Sequence, residues 1–140
     1  MDALVRNATM DDGEDVFELV TSFATSYSPD RSAFDRALPA IVQRKDVSLL
    51  VAETQDGVAG YVLAVEQPTF FANAPVIEVL ELFVAEGARD SGIGRRLLEE
   101  VTFNARQRGC AEVTAPTRRA AGFYEKVGFE RTAEFFKRRL

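Results

Sequence analysis

Histidine and tryptophan are absent from this 140-residue chain, and it holds a single cysteine. Without histidine, neither a Ser-His-Asp triad nor a Cys-His dyad can be built. The usual zinc sites also lose their commonest ligand, so no metal is expected. The lone Cys110 excludes an internal disulfide and fits a reducing compartment. Nothing near it in sequence marks an activated thiol, so it reads as a small core residue and not a nucleophile. Long apolar runs are missing too: none approaches the roughly 20 residues that span a bilayer. The opening MDALVRNATM has neither the basic region nor the apolar stretch of a signal peptide. A cytoplasmic protein with no membrane association is expected, in which the Asn7-Ala8-Thr9 sequon has no consequence. Basic residues are outnumbered, 17 against 22 acidic, for a net charge of −5. That balance argues against nucleic acid as a partner, which needs a basic footprint, and leans towards cationic small molecules.

What is present is the composition of an ordinary globular domain, 46% hydrophobic and 28% charged. One domain covering residues 1–140 is expected. Leu4-Val5-Arg6 reads as a short strand. Thr9 and Asp12 have capping-box spacing, with Asp in the usual Glu/Gln place, and Asp11, Glu14 and Asp15 suit a positive helix N-terminus. A helix is predicted over about 10–24, with Val16, Phe17, Leu19, Val20 and Phe23 on its apolar side. After a break at Ser28-Pro29-Asp30, Phe34, Leu38 and Ile41 recur at helical spacing over about 31–44. Two β-rich runs, 47–54 and 58–66, meet at Asp56-Gly57, a strong hairpin signal. An aromatic loop over 67–75 follows, whose Phe70 and Phe71 read as core or homodimer contacts or as part of a substrate pocket. A fourth strand spans 76–85, and Ile93, Leu97, Val101 and Ala105 then step down one face of a helix that closes at Gly109. A strand over 111–115, a short helix over 118–126 and a last strand from Phe129 complete a mixed α/β order. Lys137-Arg138-Arg139 reads as a solvated end.

The stretch VAEGARDSGIGRRLLEE, residues 84–100, sets Gly87, Gly92 and Gly94 at a helix entrance. Glycine in a helix costs about 1 kcal/mol relative to alanine, so three together suggest that something approaches the backbone there. Strand, glycine loop and helix is the arrangement that binds phosphates through backbone N–H groups and the helix dipole. Two versions of it fail here. Gly87 and Gly92 have P-loop spacing, but Ile93-Gly94 stands where Lys-Ser/Thr must follow. Gly92-Ile93-Gly94 begins a dinucleotide fingerprint, but Leu97 occupies the place of its third small residue.

What remains is R-x-x-G-x-G, from Arg89 to Gly94, through Asp90, Ser91, Gly92 and Ile93. It resembles the coenzyme A pyrophosphate loop of the GNAT superfamily of N-acetyltransferases, Q/R-x-x-G-x-G/A. A second piece, Ala121-Gly122-Phe123-Tyr124-Glu125-Lys126-Val127-Gly128-Phe129, resembles that family's A-x-x-FYEKxGF signature. Leu80-Glu81-Leu82-Phe83-Val84 is similar to its fourth strand, with Val84 five residues before Arg89. Thr117 departs from the pattern: seven residues before Tyr124, many relatives carry an Asn that helps hold the coenzyme, and here Arg118 and Arg119 offer an alternative reach to phosphate. Asp90 departs as well, since a basic or neutral residue is commoner there.

The resemblance implies a mostly antiparallel, mixed central sheet of six to seven strands flanked by about four helices and splayed between strands four and five. It implies transfer of acetyl from acetyl-CoA, without a metal, to a primary amine on a small molecule or peptide. Coenzyme contacts are then expected from Leu82, Phe83, Val84, the loop Arg89–Gly94, Arg95, Thr117, Arg119 and Phe123. If strand five parts from strand four after Val84, free strand amides can bind the pantetheine arm and donate to the thioester carbonyl. Tyr124 is the implied proton donor to the departing thiolate. Its bland alternative is a core aromatic with a satisfied hydroxyl. For the base, the resemblance offers Glu78, six residues before Val84; Glu81, three before it; and Glu112, twelve before Tyr124. Strand alternation puts Glu78 and Glu81 on opposite faces unless a bulge intervenes, and Glu81 is favoured as nearest the reacting carbonyl. A non-catalytic acetyl-CoA sensor and a plain interaction module are the alternative functions.

Overall fold

The computed structural model describes residues 2–24 and 26–140. A five-stranded sheet in the order β1-β2-β3-β4-β5 forms its centre, from β1 (Leu4–Asn7), β2 (Val47–Thr54), β3 (Gly57–Gln67), β4 (Val76–Val84) and β5 (Val113–Thr114). The first four strands pair antiparallel, and β5 lies parallel to β4. The four α-helices are α1 (Gly13–Phe23), α2 (Arg31–Gln43), α3 (Ile93–Gln107) and α4 (Ala121–Lys126). Two apolar cores lie on opposite faces of the sheet. One joins Val62, Ile77, Val79 and Tyr124 to Ile93, Leu97 and Val101 of α3; the other joins Val51 and Tyr61 to Val16, Leu19 and Leu38 of α1 and α2.

The capping box at Thr9 and Asp12 forms as its spacing predicts, although the first turn, Met10–Asp12, is a 3-10 helix. Asp12 is buried and takes more than the cap: Arg6 donates to both of its carboxylate oxygens at 2.8 and 2.9 Å, and the Thr9 N–H donates at 2.8 Å. The Arg6 hydrogen bonds hold the Asp12 carboxyl below its ordinary value of 3.8. A depressed native pKa stabilises the fold at pH above about 4, and that contribution is lost as pH falls through the native value. Asp12→Asn should therefore lower stability at neutral pH by about 1–3 kcal/mol and flatten the decline below about pH 4. Urea titrations of both proteins at pH 7 and 3 measure this; equal losses at the two pH values would dismiss the ion pair.

Four expectations need correction. The hairpin turns on Gln55-Asp56, one residue earlier than Asp56-Gly57, and Gly57 begins β3 at φ +112° opposite Thr54. The short helix begins at Ala121, leaving Arg118 and Arg119 in the loop before it. The sheet has five strands and not six to seven, because the segment after Phe129 forms none. Beside it β5 offers only two residues of ladder, and the segment's charged residues stay in solvent. Lastly, β4 and β5 part well before Val84: the ladder holds Ile77 to Val113 and Glu78 to Thr114 and then ends. Two local features end it. Pro116 has no N–H to offer, and β4 carries a bulge in which Leu80 lacks a partner while Val79 faces Ala64 and Glu81 faces Leu63.

Candidate active site

The open edge of β4 is the frame of the site. The Ala85 N–H donates back to Ala59 of β3 at 2.7 Å. Strand alternation then turns the N–H groups of Val84 and Leu82 outward, to the side β5 has left. Phe83 lies in the other phase: it pairs with Tyr61, and its carbonyl lies 3.0 Å from where a Cβ on Gly60 would stand. Leu82 and Val84 thus present free backbone donors along the opening, whereas the backbone of Phe83 is turned to β3.

The same edge leads into the glycine loop. A 3-10 turn over Glu86–Ala88 is followed by Asp90 at φ +64° and Gly92 at φ +85°, both left-handed, and α3 starts at Ile93. The first helical acceptor is Gly92 O, bonded by Arg96 N–H at 3.0 Å. The N–H groups of Gly92, Ile93, Gly94 and Arg95 have no protein acceptor among the described residues. No side chain caps this end, and a Cβ on Gly92 would meet nothing within 4 Å. Four free amides at the positive end of a 15-residue helix, with open space over them, suit a bound phosphate group. Gly94 is small for a different reason: a Cβ there would stand 3.1 Å from the Phe123 ring, so this glycine lets α4 close onto α3.

Around the loop, Ser91 donates to Ala88 O, which ties the turn together. The Arg89 guanidinium folds back, donating to Val84 O at 3.1 Å and lying 5.2 Å over the Phe83 ring. There it borders a cavity of about 420 Å³ on the α1 side, lined also by Asp15, Glu18, Asp56 and Glu86. Arg95 is exposed and 3.9 Å from Glu99. Thr117 accepts a hydrogen bond from Ala120 N–H at 3.0 Å, a local turn contact. Arg119 is exposed beside it and has no ion-pair partner among the described residues. Phe70 and Phe71, read from the sequence as core or homodimer contacts or as part of a substrate pocket, are both exposed, which excludes the core reading.

Tyr124 is buried with 9% of its surface exposed, its ring edge-on to Phe123 and Phe129 at 5.3 Å each. Its hydroxyl makes no hydrogen bond to the described residues, yet none of them leaves a fully buried side-chain oxygen unpartnered. The ring is core and the hydroxyl is free. Burial pushes its pKa up to about 12, so it holds its proton through the neutral range.

The bulge settles which faces the carboxylates take. Glu78 stands opposite Val65 and Glu81 opposite Leu63, two residues of one β3 face, so both point to the α1–α2 side. Alternation alone put them on opposite faces, and the extra residue reverses that. Glu81 accepts from the Tyr61 hydroxyl at 2.7 Å. Glu112 is exposed, and its carbonyl receives the Ile77 N–H at 3.0 Å where β4 and β5 are still joined. Of the three, Glu81 alone lies on the stretch of β4 that β5 has left. Tyr61 itself was not a sequence candidate; its one trace there is a hydroxyl-bearing aromatic inside an apolar strand, which needs a partner when buried.

Comparison with known proteins agrees with this geometry. Residues 45–131 match the family model described as an acetyltransferase (GNAT) domain, whereas no curated protein matches by sequence. A transcriptional regulator from Bacillus halodurans C-125 superposes with a TM-score of 0.89 at 22% identity, over 99% of this chain and all of the other. Glucosamine-6-phosphate N-acetyltransferase from Arabidopsis thaliana gives 0.87 at 19% identity, over 99% of each chain. AAC(6')-Iy, in complex with the bisubstrate analogue CoA-S-monomethyl-acetylneamine, gives 0.83 at 19% identity over the whole of both chains. With its family model spanning more than half of the sequence and its glycine loop and splayed sheet in place, the chain belongs to the GNAT acetyltransferase family.

Proposed function

We propose that the protein transfers an acetyl group from acetyl-CoA to a primary amine, with Tyr124 as proton donor and Glu81 as proton acceptor. One observation carries the reading: the outward N–H groups of Leu82 and Val84 run along an open strand edge towards four unpartnered N–H groups at the start of α3. An extended ligand with an amide-bearing arm and a pyrophosphate fits that row of donors. When bound, acetyl-CoA supplies the activated acyl group. Gly92, Ile93, Gly94 and Arg95 would hold its pyrophosphate, and Leu82 and Val84 its arm. The Glu81 carboxylate removes the proton that blocks the amine lone pair, and the Tyr124 hydroxyl gives its proton to the departing sulfur. A small amine of positive charge suits the two carboxylates on that face and the net charge of −5. A reducing, cytoplasmic setting suits the free Cys110, and no helix among the described residues is long and apolar enough to cross a membrane.

Binding of the coenzyme is tested by thermal unfolding. At 100 times Kd, acetyl-CoA should stabilise by about 2.7 kcal/mol, roughly 5–10 °C for a domain of this size, while NAD and ATP should not. Gly92→Val should abolish the shift, because a β-branched residue at φ +85° is strained and its methyls enter the space over the free amides. Thiol release is then followed with spermidine, glucosamine 6-phosphate, neamine and a peptide starting with alanine. A melting curve unmoved by millimolar acetyl-CoA would overturn the reading. Binding without thiol release from any amine would favour a sensor.

A further inference from the structure

We propose that Tyr61 is the positioning residue for the Glu81 carboxylate, fixing it so that one oxygen stays free to take the proton of the incoming amine. The inference rests on the acetyl-transfer reading above and extends it to a residue outside the coenzyme loop and the tyrosine signature.

Tyr61 is 1% exposed and packs in the α1–α2 core with Val16, Leu19 and Val51. The Phe23 ring of α1 stands edge-on to it at 6.5 Å and to Phe83 of β4 at 6.1 Å, so the phenol ring is one of a cluster of three aromatics joined through Phe23. Its hydroxyl is its only polar side-chain atom, and it donates to Glu81 Oε1 at 2.7 Å. The two residues reach each other on a diagonal across the β3–β4 ladder, Tyr61 opposite Phe83 and Leu63 opposite Glu81. Glu81 has no other hydrogen-bond or ion-pair partner among the described residues.

A glutamate on a bulged strand has three side-chain torsions and no packing of its own to fix the last of them. Here a donor anchored in the core fixes it from below. Burial, and the carboxylate beside it, raise the Tyr61 pKa above its ordinary value, so the hydroxyl stays a donor and does not compete for the proton. Oε1 is occupied and Oε2 is free. As the amine N–H bond breaks, its proton goes to Oε2 and the nitrogen keeps the electron pair with which it attacks.

The test is a double-mutant cycle of Tyr61→Phe and Glu81→Gln, run with whichever of spermidine, glucosamine 6-phosphate, neamine and the alanine peptide turns over fastest. Tyr61→Phe keeps the ring and its contact with Phe23, and the acetyl-CoA-induced melting shift verifies that each variant is folded and binds the coenzyme. Tyr61→Phe is expected to lower kcat by about 10-fold with KM for acetyl-CoA unchanged. In the Glu81→Gln background it should cost less than about 2-fold, because the group it positions is gone. Equal losses in both backgrounds would overturn the proposal and leave Tyr61 a purely structural residue. So would full activity of Tyr61→Phe beside a crippled Glu81→Gln. An undamaged Glu81→Gln would instead remove Glu81 as the base, and the positioning role would fall with it.

Discussion

Tyr124→Phe should lower turnover by about 10²–10⁴-fold, the range that a positioned general acid supplies, while leaving acetyl-CoA binding nearly intact. The substitution removes one oxygen that bonds to nothing among the described residues and keeps a ring packed between Phe123 and Phe129. Its unfolding free energy should accordingly change by less than about 0.5 kcal/mol. The alkaline side gives a second readout. With the hydroxyl pushed up to about 12 by burial, it keeps its proton almost completely through the neutral and mildly alkaline range. The wild-type kcat should therefore show no loss attributable to this group up to about pH 10. Steady-state kinetics from pH 6 to 10, with thermal unfolding of both proteins, decides the matter. Wild-type turnover in Tyr124→Phe would reduce Tyr124 to a core residue and leave water to protonate the sulfur.

The glycine loop was legible in the sequence because its requirements are local. A left-handed Gly92 and a helix starting at once with Ile93 are properties of adjacent residues, and Leu97 and Val101 four and eight positions on fix the buried face of α3. The role of Gly94 was only half legible. Its small size showed, but the Phe123 ring that demands it comes from a segment nearly thirty residues away. The signature around Tyr124 named the residue, whereas its free hydroxyl became visible only once its surroundings were assembled.

What escaped the sequence depends on pairing between strands. Nothing in Glu78-Val79-Leu80-Glu81 announces that Leu80 will be skipped by β3, because a bulge is a property of two strands in register. That one skipped residue decides which way the carboxylates point. The final strand failed for a related reason. A strand forms where it has a partner, and a two-residue β5 leaves the segment after Phe129 with almost none. The parting of β4 and β5 at Glu78, earlier than Val84, lengthens the open edge and brings Glu81 onto it.

That placement makes Glu81→Gln the second large effect. Glutamine preserves the volume and still accepts the Tyr61 hydrogen bond, so the fold and the melting shift with acetyl-CoA should survive. It cannot take a proton at neutral pH, and kcat should fall by about 10²–10⁴-fold with the best amine of the panel. Glu78→Gln should cost less than about 10-fold, although the bulge turns Glu78 to the same face. Glu78 lies opposite Thr114, at the last point where β5 still pairs, and so stands at the apex of the opening and not along it. A larger loss for Glu78→Gln would move the reacting amine towards that apex and make Glu81 the residue that merely attracts a cation. If both variants keep wild-type turnover, the amine loses its proton to water, and the two carboxylates serve only to draw positive charge to the α1–α2 face.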